Sequence, residues 1–122
     1  MKDEIKNCNE WHEQAMMLSD KAFEFEKKGN HSQAIEFYSK AFDFERKAAL
    51  LLLEKYEVEP SRSVLFRSAA WLAFNAEEFR AAERMAAYGL SGNIPESIAI
   101  ELREVLEKTI AKIKETQMAN AA

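Results

Sequence analysis

Cys8 and His12 stand four residues apart, and on a helix that spacing puts the thiol and the imidazole on one face. Such a pair offers two ligands to a metal, whereas a closed structural zinc site needs four. The chain holds a single cysteine and two histidines, and the other histidine, His31, lies beyond a Gly29-Asn30 break. The pair is therefore read as metal-free, with Cys8 a small, half-buried apolar residue. Asn9 and Lys28 occupy the positions three before the two histidines, so the Glu-x-x-His motif of carboxylate-bridged metal bundles is missing. No Gly-rich phosphate loop and no Ser/His/Asp ordering is found. The expectation is a protein without catalytic residues, metal or cofactor.

Arg67, Trp71 and Asn75 follow one another at four-residue steps and share a second helical face. Two readings of that face stand open. Arg67 pairs with a glutamate of a flanking helix, such as Glu45 or Glu83, and Trp71 is core. Alternatively, the guanidinium and its aromatic neighbours line a binding surface, where a bidentate fork suits a peptide carrying an acidic group.

These residues must be positioned by helices. Gly and Pro number 3 and 2 in 122 residues, and Ala, Glu, Lys and Leu are common. A helix over about 8–28 carries Cys8, Trp11, Ala15, Leu18, Ala22 and Phe25 in one stripe, and Gly29-Asn30 stops it. A second, over about 32–57, carries Ala34, Tyr38, Ala41, Phe42, Ala48, Ala49 and Leu52, and Pro60 ends it. Between Val64 and Phe74 only Arg67 and Ser68 are polar. A helix apolar on nearly every side must be wrapped by neighbours, so residues 62–75 are read as the central core helix. Helices over about 77–91 and 95–115 follow, separated by Gly92 and Pro95, and Met118–Ala122 is expected to fray. Residues 1–122 make a single domain with no linker.

The net charge of −4, with acids and bases interspersed, offers no basic patch for nucleic acid. The N-terminus lacks an apolar leader and no segment approaches membrane-spanning length. With one unpaired cysteine, the expectation is a cytoplasmic protein that meets neither nucleic acid nor membrane.

Lys28-Gly-Asn-His-Ser-Gln-Ala-Ile-Glu-Phe-Tyr-Ser-Lys-Ala-Phe42 resembles the turn and second helix of a tetratricopeptide repeat. That family's small-aromatic-small series falls on Ala34, Tyr38 and Ala41, its first-helix positions on Leu18, Ala22 and Phe25, and its turn glycine on Gly29. Arg46 replaces the repeat-ending proline. A looser second repeat matches Phe66, Ala69, Ala70 and Ala73, then Phe79, Ala82, Ala86 and Gly89, with Glu77 where the turn glycine belongs. The stretch from Glu59 to Leu106 also resembles short bacterial proteins of unassigned role. The resemblance implies an all-α, five-helix right-handed antiparallel array: two repeat-like hairpins and a C-terminal capping helix.

In that family the first helix of each hairpin lines a concave ligand surface. Carried over, the surface collects Met16, Ser19, Phe23 and Glu26 with Arg67, Trp71, Phe74 and Asn75. Ser19 and Phe23 replace the lysine and asparagine of the family's carboxylate clamp. The implied role is a non-catalytic adaptor that binds a peptide or helix of a partner protein. Two alternatives remain: a homodimerisation module using the long second helix and Leu50–Leu53, or a helix-binding domain, since Trp11–Tyr56 also resembles three-helix MIT modules.

Overall fold

The computed structural model describes residues 2–121 and is all-helical, with five helices and, among the described residues, no strand. They are α1 (Lys2–Lys27), α2 (His31–Leu51), α3 (Ser61–Asn75), α4 (Phe79–Leu90) and α5 (Glu96–Ala121). Each of α1 to α4 packs on its successor, and α3 also packs on α5.

Alanines set the spacing. Ala15, Ala22, Ala34, Ala41, Ala48 and Ala49 are fully buried between α1 and α2, so the two backbones approach closely. In the second half, Ala69, Ala70, Ala73, Ala82 and Ala86 do the same. At Gly89 the approach is close: a Cβ there would lie 3.0 Å from the Leu102 methyls and from Phe66 Cβ. α3 is the wrapped helix its composition requires, burying Leu65, Phe66, Ala69, Ala70, Leu72 and Ala73 against three neighbours.

The α1–α2 and α3–α4 turns are built alike. Gly29 (φ 77°) and Glu77 (φ 62°) both adopt left-handed backbone. Asn30 N–H donates to Phe25 O and Glu78 N–H to Ala73 O, each at 2.9 Å, the bond of a Schellman C-cap. Asn30 and Glu78 then open the next helices with nearly the same dihedrals, −91°/75° and −94°/72°.

Three boundaries differ from the sequence reading. α1 begins at Lys2 rather than near residue 8, its first turn carrying Asp3 and Glu4 against the helix dipole and Glu4 pairing with Lys55. α2 stops at Leu51 rather than near 57. No Gly or Pro breaks it there; instead the buried Arg62 guanidinium takes the Leu53 carbonyl (Nε to O, 2.9 Å), which an extended helix would have claimed. α5 runs through Met118 to Ala121 as ordered helix, with no residue in Lys112–Ala121 that breaks one; Ala122 lies outside the described residues.

Arg62 is the keystone of the α2–α3 connection. Its side chain is fully buried, with Nη2 donating to Tyr88 O (2.9 Å) and Ser91 Oγ (3.2 Å). The guanidinium also lies 4.6 Å from the Tyr56 ring centroid and 5.3 Å from that of Phe66. Glu59 sits 3.6 Å from Nη1 and accepts the Ser63 N–H (2.9 Å), capping α3 where Pro60 offers no side-chain cap. One arginine thereby joins the connection, α3 and the end of α4.

Candidate functional site

α2 carries one anomaly in its apolar stripe. Glu45 falls between Ala41 and Ala48 at helical spacing, and its side chain is 0% exposed. A buried carboxylate must be hydrogen-bonded or it costs several kcal/mol. Here His12 Nδ1 of α1 donates to both carboxylate oxygens (2.9 and 3.0 Å), and Ser68 Oγ of α3 donates to Oε2. Burial raises the Glu45 carboxyl pKa, and the Ser68 and His12 hydrogen bonds act against it. The cluster ties α1, α2 and α3 together at mid-height.

On the N-terminal side of this tie, a cleft of about 350 Å³ opens between α1 and α3. Its α1 wall is Glu4, Ile5, Cys8, Asn9 and His12; its floor is Leu51, Leu52, Lys55 and Val58; its α3 wall is Ser61, Val64 and Leu65. The lining is mostly apolar, with the Glu4–Lys55 ion pair at the rim and His12 as the one imidazole. Clefts of this size, apolar with a few placed polar groups, suit a small ligand or the anchor side chains of a peptide. Ile5 on the lip is 57% exposed.

Cys8 shares the wall with His12, as the four-residue spacing requires. Its thiol donates to Ala48 O (3.7 Å), and burial pushes its pKa up, with the nearby Glu45 charge adding to the rise. That is the reverse of what an activated nucleophile needs. Among the described residues no three His, Cys, Asp or Glu side chains are grouped to hold a metal ion.

The eight residues singled out from sequence lie one to several turns further along the same two helices, and none lines the cleft. On α1, Met16 is half-buried against the core, Ser19 is half-buried, and Phe23 (57% exposed) and Glu26 face water, with Lys27 over the Phe23 ring. On α3, Arg67 is ion-paired with Glu101 of α5. Its two anticipated partners are engaged elsewhere: Glu45 by His12 and Ser68, Glu83 by Arg80 at 3.1 Å. Trp71 packs on the core, edge-on to Phe74 (5.8 Å), and Lys108 Nζ lies 5.5 Å from its ring centroid. Asn75 is exposed at the end of α3. The structure thus joins Arg67, Trp71 and Phe74 to α5 and the core.

No family model, curated protein or solved structure matches this chain. No described helix is long and apolar enough to cross a membrane.

His12 and Glu45 were both singled out in the sequence, but not as partners of each other. Glu45 was legible as a carboxylate inside an apolar stripe, a pattern that marks a buried partner elsewhere in the chain. Ser68 and Arg62 carried weaker versions of that signal on α3. The cleft itself carried none, because Ile5 and Val64 are 59 positions apart and meet only through the fold.

Proposed function

We propose that this protein is a non-catalytic interaction module of the cytoplasm that seats an amphipathic helix of a protein partner in the cleft between α1 and α3. The observation that carries the reading is the cleft: about 350 Å³, walled by Ile5, Cys8, Val64 and Leu65, floored by Leu51, Leu52 and Val58. Apolar anchors of a partner helix, spaced at three and four residues, fit such a groove. The surroundings favour a basic partner. α1 up to Gln14 and the connection after α2 carry Asp3, Glu4, Glu10, Glu13, Glu54, Glu57 and Glu59 against Lys2, Lys6 and Lys55.

The equivalent turns at Gly29 and Glu77, 48 positions apart, support a duplicated hairpin of tetratricopeptide type, arranged as a right-handed antiparallel array capped by α5. In such an array the first helices of successive hairpins flank the ligand groove, as α1 and α3 flank the cleft. The binding residues are accordingly shifted toward the N-termini of both helices, away from Phe23 and Trp71.

A phage-displayed library of helical peptides, selected on the wild-type protein and counter-selected on Ile5→Glu, tests this. Enriched helices should carry an apolar anchor flanked by Lys or Arg and lose binding to the variant by about tenfold or more. Selection that yields only peptides indifferent to Ile5→Glu would overturn the reading.

A further inference from the structure

α5 outruns the body it caps. Thr109 is its last buried residue, Ile110 and Ile113 are half-buried, and every described residue from Lys114 to Ala121 is exposed. Met118, at 73%, is the most exposed large apolar side chain among the described residues. Met118 thus stands on a helix end that no described residue of the same molecule covers, and Met is the side chain best able to adapt to an irregular apolar gap.

The direction of α5 decides whether the cleft of the same molecule is within its reach. Arg67 of α3 pairs with Glu101, and Trp71 lies under Lys108, so the two helices ascend together. The end of α5 therefore projects beyond the C-terminal end of α3. The cleft lies at the N-terminal end of α3, against Ser61, Val64 and Leu65. Tail and cleft occupy opposite ends of the molecule and cannot meet within one copy. Two copies side by side and reversed bring each tail to the other's cleft, a self-complementary two-fold pairing.

Charge points the same way. Beyond Thr109 the tail carries Lys114 together with a Lys112–Glu115 ion pair, a net positive charge, whereas the flanks of the cleft carry more than twice as many acids as lysines. A mildly basic helix end meets an acidic mouth, which favours encounter and fixes orientation.

We infer that the α5 tail of a second copy occupies the cleft, with Met118 as the anchor, so that the chain forms a reciprocal homodimer. This rests on the reading of the cleft as a helix-binding groove and names its occupant. Sedimentation from micromolar to millimolar concentration should show a monomer–dimer equilibrium. Met118→Glu and Ile5→Glu, both at exposed positions, should each weaken the dimer by about tenfold or more while leaving the melting temperature of the dilute monomer unchanged. Mixed in equal amounts, the two variants should regain part of the association, because the intact tail of one still fits the intact cleft of the other.

A wild-type monomer throughout, or a dimer indifferent to Met118→Glu, overturns the inference, and an open ladder of larger species overturns the reciprocal closure. If selected peptides still depend on Ile5 while the wild type stays monomeric, the groove stands and only its proposed occupant falls.

Discussion

At the scale of single residues, the informative side chains are the polar ones placed where apolar ones belong. Thr109 is fully buried and its hydroxyl has no hydrogen-bond partner. An unsatisfied buried hydroxyl costs about 1–3 kcal/mol. Thr109→Val keeps the shape and removes that cost, so the urea midpoint should rise by the equivalent of about 1 kcal/mol with the slope unchanged. Glu45 differs because its hydrogen bonds are made and its charge is the difficulty. Burial raises its carboxyl pKa from an ordinary value near 4.5, so the folded state holds the proton more tightly than the unfolded chain. Its favourable contribution is complete below that ordinary value and is lost as pH rises through the raised folded pKa. Glu45→Gln has no such proton to lose. Its stability relative to wild type should therefore climb from about pH 4.5 toward neutrality, measured by urea unfolding at successive pH values. Parallel profiles for the two proteins would show that the Ser68 and His12 hydrogen bonds fully offset the effect of burial on the carboxyl.

At the scale of elements, the two hairpin turns show the same backbone solved with different residues. Gly29 enters the left-handed region without strain, while Glu77 does so with a Cβ, which costs about 1–2 kcal/mol. The Glu77 carboxylate offers little return, lying 3.7 Å from an exposed His31. Glu77→Gly should therefore stabilise the protein by about 0.5–1 kcal/mol after the extra freedom of glycine in the unfolded chain is subtracted, read as a higher urea midpoint. A loss of stability would mean that the side chain anchors the turn. The breaks between elements were legible wherever Gly, Pro or Asn marks them, as at Gly29-Asn30 and Gly92–Pro95. The end of α2 was not, because Leu50–Tyr56 holds no breaker. After Leu51 the ladder tightens into i→i−3 turns, Leu52 N–H to Ala49 O and Leu53 N–H to Leu50 O. An arginine from the next element takes the Leu53 carbonyl that a helix continuing to residue 57 would use.

At the scale of the whole molecule, Arg62 links segments that composition treats as independent. It holds the connection through Leu53 O, the α4 terminus through Tyr88 O and Ser91 Oγ, and the Phe66 and Tyr56 rings through its flat face. Arg62→Ala would take the side-chain donor from the Leu53 carbonyl and the counter-charge from the Glu59 carboxylate, and should cost about 3–5 kcal/mol, a large share of the ~5–15 kcal/mol that holds a domain folded. Circular dichroism on heating should show the midpoint fall steeply. Arg62→Lys should rescue little, since an ammonium lacks the fork that reaches three acceptors. A small change on Arg62→Ala would mean that water replaces the guanidinium and the connection is looser than its burial implies.

Local signals were enough to establish that this chain is helical, how many helices it has, which face of each is apolar, and that residues 64–74 sit at the centre. Period, propensity and turn chemistry act between residues a few positions apart. Only the tertiary structure decided who partners whom. Glu45 reaches across 33 positions to His12, Arg67 across 34 to Glu101, and Ile5 faces Val64 over a shared hollow. Those choices are made by how helices pack, where one alanine more or less shifts an axis and redirects every polar group along it. No spacing in a linear chain records that outcome.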